Sequence, residues 1–297
     1  MIDRAFCCYA DEQFLEGTGP AAGERLLSAW CSLFAEYNAG DFPFFLRALR
    51  GWRRLRPKAS RHPLPWPVLC AAAYHVLTRS DGGFSAFVCL LVMFDCYLRP
   101  YEALRMRVID AVPPCALSPF WVIIVCPQDA LRPSKTRIFD DSISLDTPGR
   151  EIVAHALAQL VSQRRAAGSN ALLFDFTHQQ LGAWFAAALD WLGLRPWQFT
   201  LYACRHGGAS EDFGRSLRPL DAIQRRGRWA CLQSVRRYQQ HGRLHVVYAR
   251  TPAPIIQHCL AAAAHLPELL AAPRLLRQPV GAAFDVPLAA PFNDDDD

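Results

Sequence analysis

Apolar positions recur at helical spacing near the start of the chain. Leu26, Leu27, Trp30, Leu33 and Phe34 stand three and four apart within residues 24 to 36, which predicts an amphipathic helix; Phe44 to Trp52 predicts a second, shorter one. The stretch Arg56 to Pro67 (RPKASRHPLPWP) then sets four prolines among basic residues. A helix cannot run through so many missing N–H groups and ring clashes, so this stretch reads as a linker with a domain boundary near residue 60. Beyond it, Val68 to Thr78 and Phe84 to Tyr97 read as buried helices. Trp121 to Cys126 is short and β-branched, predicting a strand with Arg137 to Leu145 as its hairpin partner. Glu151 to Arg165 reads as a helix by composition, Ala171 to Phe174 as a short strand, and His178 to Leu192 as a helix with an apolar face.

Helices, a small hairpin and helices again define a mainly α chain with a small antiparallel β-sheet (α+β). The alternation of strand and helix needed for a doubly wound sheet is missing, and no glycine-rich phosphate loop accompanies it, which excludes nucleotide-driven chemistry. At 297 residues and 52% hydrophobic content the chain can bury a sizeable core, so wholesale disorder is excluded. The net charge of +5 is mild, but its distribution is uneven. Between Asp41 and Asp81 seven arginines and Lys58 meet no acid, and from Arg195 to Arg250 eleven arginines face only Glu211, Asp212 and Asp221. The 11 cysteines are scattered through apolar runs with no secretory signal before them, and read as free thiols in a reducing compartment. Neither C-x-x-C nor H-E-x-x-H occurs, so no metal or other cofactor is expected. The longest apolar run, Phe84 to Phe94, is too short to span a bilayer, and a soluble intracellular protein with no membrane partner is expected. Residues 251 to 297 read as a C-terminal helix followed by a solvated acidic tail ending NDDDD.

Four separated segments carry candidate chemistry: CYLRPYEALRMRVID with Arg99, SKTR with Lys135, LYACRHGGAS with Arg205, and GRWACLQSVRRY with Trp229 and Tyr238. Arg99 follows an apolar helix and Arg205 sits in an apolar-flanked run. Both guanidiniums are therefore partly desolvated and need an anionic partner. Two planar guanidiniums converging on one phosphate stabilise a pentacoordinate phosphorane; a structural pair such as Arg99 with Glu102 is the alternative. Lys135 is one of only two lysines beside 30 arginines. A lysine in the predicted hairpin turn can give a proton to a leaving 5′ oxygen, whereas arginine stays charged; a solvated turn lysine is the plain reading. Tyr238 is either a nucleophile or a tyrosine packed on Val235, and Trp229 either donates its indole N–H to a phosphate oxygen or packs beneath that helix.

With these residues and spacings, roughly residues 64 to 242 resemble the catalytic domain of the tyrosine recombinase (phage integrase) family. Arg99 with Glu102 three positions later is similar to the family's first arginine box, and Arg205-His206 to its second. The 24 residues from Arg205 to Trp229 leave room for a helix-turn-helix at Leu217 to Arg226, and nine residues separate Trp229 from Tyr238, the family interval to the nucleophile. The resemblance implies DNA breaking and rejoining through a 3′-phosphotyrosine, with Arg99 and Arg205 as the clamp, Lys135 as general acid and Tyr238 as nucleophile. It also implies tetramers on paired sites in which a C-terminal segment, here Pro254 to Leu270, passes to a neighbour. Two departures stand out. Tyr202 occupies the usual histidine position three residues before Arg205 and does not titrate near neutrality. His206 points about 100° away from Arg205 and reads as a packing or supporting histidine. In addition, about 60 residues replace the expected four-helix clamp, leaving a short helical region at 1–60 before a catalytic domain at 61–250.

Double-stranded DNA is the expected partner. The basic linker (Arg47, Arg50, Arg53, Arg54, Arg56, Lys58, Arg61) and the cluster Arg225, Arg226, Arg228, Arg236, Arg237 are placed to neutralise backbone phosphates, or else are solvated helix faces. The expected function is a site-specific recombinase of a mobile element, acting in the nucleus of a nucleated host or otherwise in the cytoplasm or nucleoid. A catalytically inactive DNA-binding derivative and a type IB topoisomerase-like relaxing enzyme are the alternatives.

Overall fold

Hydrophobic faces explain the helices of the N-terminal unit, Met1–Ser60, in the computed structural model, which describes residues 1–56, 62–131, 139–236, 241–272, 274, 276 and 279. This unit contains α1 (Ile2–Leu15), α2 (Ala21–Leu33) and α3 (Pro43–Leu55). On α3, Phe45, Leu49 and Trp52 fall on one face and are buried with Phe6 and Ala10 of α1 and Ala22 and Leu27 of α2. The Phe6 ring stacks on Phe42 at 5.1 Å. Proline at the first turn of α3 leaves its N-terminal amides to be satisfied, and the Asp3 carboxylate accepts from the N–H groups of Phe44 (3.0 Å) and Phe45 (2.8 Å). The opposite face of α3 exposes Arg47, Arg50, Arg53 and Arg54.

The second unit, Arg61–Pro287, contains the predicted buried helices as α4 (Trp66–Arg79) and α5 (Gly83–Asp95). Pro67 lies inside the first turn of α4, where its missing N–H has no helical acceptor to lose, so the expected linker ends earlier than Pro67. From Ala86 to Asp95 every residue of α5 is buried, which is why that stretch shows no amphipathic period. A short α6 (Pro100–Leu104) follows, then an antiparallel sheet in the order β1 (Ala111–Val112), β2 (Val122–Val125), β3 (Asp141–Ser144), with Ile123 opposite Ala111 on one side and Ile143 on the other. Next come α7 (Glu151–Arg164), α8 (His178–Trp191), α9 (Tyr202–Gly214), α10 (Leu220–Arg226), α11 (Leu232–Arg236), α12 (His241–Arg250), α13 (Ala253–Ala264) and α14 (Leu266–Ala271). The chain is thus mainly α with a small antiparallel sheet.

One expectation is corrected here. Ala171 to Phe174 is not a strand: it forms only the bridge Arg107↔Leu172, flanked by amide bonds from Val108 to Ala171 and from Leu173 to Met106, because its partner segment turns into a 3-10 helix at Val108–Asp110. The segment Pro254 to Leu270 is helical. It forms α13 and α14, whose Ile255, Cys259, Ala262, Leu266 and Leu269 fill the core of their own unit, with α13 packed on α4. All the cysteines are free, and no helix among the described residues is long and apolar enough to cross a membrane.

Candidate functional site

The turn after α5 and the start of α6 place the first arginine. Arg99 caps α6 and Glu102 reaches back to accept the Arg99 N–H at 2.7 Å, while its other oxygen takes Arg99 Nη1 at 2.7 Å. Two further guanidiniums converge on the same carboxylate: Arg228 Nη2 at 2.5 Å and Arg205 Nη1 at 3.9 Å. Burial pushes the Glu102 carboxyl up, but Arg228, Arg205 and Arg99 together hold it below the usual carboxylate range. Three cations therefore share one carboxylate in a water-poor site. The Arg228 Nε is buried with no acceptor among the described residues. A cavity of about 510 Å³ opens beside Arg99 and Glu102, with Tyr101, Arg105 and Arg107 also in its wall.

Arg205 is brought in by α9, which lies close enough to α5 that a Cβ on Gly208 would stand 2.1 Å from the Phe94 carbonyl oxygen. Its Nη1 donates to the Tyr97 carbonyl and its Nη2 to the Gly227 carbonyl. Its guanidinium lies 4.5 Å from the centre of the Trp229 ring, a cation–π contact. Gly227 is required beside that ring, since a Cβ there would fall 1.8 Å from it.

Arg99, Arg205 and Trp229 are thus brought into one cluster. Arg226 and Arg228, expected on a phosphate-facing surface, are buried instead: Arg228 holds Glu102, and Arg226 holds Asp95 (3.0 Å) and Asp146 (3.1 Å). All five N–H groups of the Arg226 guanidinium are taken, by the Asp95 and Ser144 carbonyls, the Asp95 and Asp146 carboxylates and Thr147, so none is left for a DNA backbone, which corrects the expectation for Arg226. Arg225 is exposed and pairs with Asp221 at 2.9 Å, Arg236 is exposed, Arg53 pairs with Glu24 at 2.8 Å, and Arg54 is exposed. Tyr202 opens α9 one turn before Arg205, and His206 is half-buried on the same helix. Lys135, Tyr238, Arg237, Lys58 and Arg61 lie outside the described residues.

A second cluster escaped the sequence reading. Three aspartates and three arginines alternate in a closed ring: Asp95 to Arg150 (3.4 Å), Arg150 to Asp212 (2.8 Å), Asp212 to Arg218 (3.2 Å), Arg218 to Asp146 (2.5 Å), Asp146 to Arg226 (3.1 Å) and Arg226 back to Asp95 (3.0 Å). Thr147 accepts from Arg218 at 3.0 Å, and the Tyr97 hydroxyl donates to Asp212. Burial works against the charged forms of Arg226 and Arg150, yet the aspartates around them raise both above the usual guanidinium value. Among the described residues the ring is balanced in charge, whereas the Glu102 cluster is not. One signal was available: Asp95 closes the apolar run Ala86 to Phe94, and a carboxylate buried there needs a cation. Among the described residues no group of three or more His, Cys, Asp or Glu side chains is placed to hold a metal ion.

No family model matches the chain, and no curated protein matches it. Among solved structures it is similar to XerH site-specific recombinase bound to difH substrate in a pre-cleavage complex, at 14% identity over 79% of this chain and 71% of that one, with a TM-score of 0.49. It is similar to XerH bound to palindromic difH in a post-cleavage complex, at 14% identity over 79% and 72% and a TM-score of 0.49. It is also similar to XerA recombinase, at 15% identity over 81% and 88% and a TM-score of 0.46.

Proposed function

We propose that this protein binds double-stranded DNA and breaks and rejoins it through a 3′-phosphotyrosine, as the family its motifs resemble does, and that it serves a mobile element. The observation that carries the reading is the excess of guanidinium in the Glu102 cluster: three arginines against one carboxylate in a buried site call for an anion, and a phosphodiester supplies one. Arg99 and Arg205 would grip the non-bridging oxygens and neutralise the charge gained in the phosphorane. Tyr238 would attack phosphorus as the P–O5′ bond breaks, its phenolic proton passing to solvent and Lys135 giving a proton to the leaving 5′ oxygen. Attack by the 5′ hydroxyl of another strand on the phosphotyrosine reverses the step, so no ATP is consumed. The indole N–H of Trp229 is a donor to the phosphate, and its ring supports Arg205. The exposed Arg53, Arg54, Arg225 and Arg236, with Lys58 and Arg237, would meet backbone phosphates, positioning the duplex without reading it. The family's assembly on paired sites, and action in the nucleus of a nucleated host, belong to the same reading.

The test is incubation of the protein, and of Tyr238→Phe, with nicked suicide duplexes from its own genomic flanks. The expected result is a denaturation-resistant adduct with the wild type and none with Tyr238→Phe. A second reading, an inactive DNA-binding derivative, is favoured by Tyr202 at the usual histidine position. It expects the duplex to be bound equally by both proteins with no adduct from either, and Tyr202→His is then the variant to assay.

A further inference from the structure

The balanced ring and the unbalanced Glu102 cluster meet at Arg205. Its Nη2 donates to the carbonyl of Gly227, the residue directly after ring member Arg226. Arg226 is held in place on every side: its Nε donates to the Asp95 carbonyl at 3.0 Å, its Nη2 to the Asp95 carboxylate at 3.0 Å and its Nη1 to the Ser144 carbonyl at 2.8 Å. The Nη1 of Arg205 donates to the carbonyl of Tyr97, two residues beyond ring member Asp95. Tyr97 is fully buried and left-handed at φ 48°, a conformation that a residue with a Cβ keeps only when its surroundings impose it. Here the Tyr97 hydroxyl donates to Asp212, and the Arg226 guanidinium stands 5.6 Å from the centre of its ring. Asp212 in turn lies on α9 seven residues after Arg205, two turns along the same face.

We propose that the ring of Asp95, Arg150, Asp212, Arg218, Asp146 and Arg226 is the positioning frame of Arg205, and that Tyr97 couples the two, its hydroxyl anchored on Asp212 and its carbonyl aiming the guanidinium. The part of this inference that concerns cleavage rests on the function proposed above; the part that concerns the orientation of Arg205 does not. A guanidinium whose direction is set beforehand loses little further freedom when a phosphate arrives and needs no reorganisation as charge develops on the phosphorane. Tyr97 and the ring members are thus positioning residues that act through Arg205, and Arg226 serves the DNA chemistry from within the fold.

The frame is tested on the full chain with arginine labelled in 13C and 15N. The Arg205 guanidinium resonances are identified by their loss in Arg205→Lys. In the wild type, acceptors on both Nη atoms slow rotation about the Nε–Cζ bond and leave separate Nη signals. In Tyr97→Phe, which removes one hydroxyl and little volume, the Arg205 signals are expected to merge by exchange while the thermal transition remains cooperative. Asp212→Asn is the second variant, with the same expectation. Unchanged Arg205 signals in both variants overturn the proposal. On suicide duplexes, Tyr97→Phe is expected to slow adduct formation at saturating DNA about ten-fold or more, with Kd for the duplex unchanged. A matched loss of binding and cleavage, with Arg205 signals intact, also overturns it. If the wild type forms no adduct, the proposed function fails, and the resonance experiment still decides the frame.

Discussion

Glu102→Gln alters one buried charge and almost no volume, and it should change stability and DNA affinity in opposite directions. The carboxylate faces Arg228 at 2.5 Å, Arg99 at 2.7 Å and Arg205 at 3.9 Å. Breaking a buried pair by removing one partner costs about 3–5 kcal/mol, and because the amide keeps one oxygen for an N–H, the loss expected is about 3 kcal/mol. The same change removes a negative charge next to where a phosphate would sit. At a separation of about 5 Å and an effective dielectric of about 20, that repulsion is worth about 3 kcal/mol, or about 100-fold in affinity at low salt. Urea unfolding measures the first quantity, and anisotropy of a labelled duplex at low and physiological salt measures the second, with the gain shrinking as salt screens it. If the variant is as stable as the wild type, Glu102 is not what balances the three guanidiniums. If it is less stable but binds DNA no more tightly, these guanidiniums do not meet a phosphate and the functional reading loses its main support.

Other consequences are more local. Gly208→Ala would set a Cβ 2.1 Å from the Phe94 carbonyl oxygen and 2.8 Å from the Tyr97 ring, so α5 and α9 must separate at a cost of about 3 kcal/mol; a melting temperature equal to that of the wild type would refute this packing. Acid should destabilise the protein: Arg228, Arg205 and Arg99 outweigh burial at Glu102, and Arg218 and Arg226 outweigh it at Asp146, so both carboxyls are held below their ordinary values of 4.5 and 3.8. Groups depressed in the folded state contribute stability above their unfolded pKa and lose it as pH falls through the folded one. Glu211, raised by burial, acts with the opposite sign, its contribution present at low pH and lost as pH rises. The net expectation is a urea midpoint that falls below about pH 4, and an equal midpoint at pH 7 and pH 3 would contradict it. Burial pushes the thiols of Cys96, Cys204 and Cys259 up to about 12, whereas Cys8 and Cys115 are exposed. A thiol reagent should label Cys8 and Cys115 in the native protein and the other three only at the rate of unfolding, as peptide mapping would show.

How much of this was legible beforehand depended on the range of the interaction. The helices α2 and α3 could be read from apolar spacing because each buries one face, and α4 and α5 from continuous apolar runs because each is covered all round. The strand β2 was readable from its β-branched run, but β1, two residues long, has no period to detect. Ala171 to Phe174 misled because four apolar residues look alike whether they pair along a ladder or at a single bridge, and the turn at Val108–Asp110 decided which. The arginine-box spacings made Arg99 and Arg205 candidates, and Glu102 was visible as a local partner of Arg99 at i+3.

By itself, then, the sequence determined the class of fold, most of its helices and the residue types able to grip a phosphate. Only the tertiary structure decided which arginines gather on Glu102 and which join the aspartate ring. Arg226 and Arg228 are two residues apart in a uniformly basic segment, yet one closes a ring with Asp95, 131 positions away, and the other meets Glu102, 126 positions away. A guanidinium's partner in a buried site is set by where the backbone places a carboxylate, and over such separations no local pattern encodes that position.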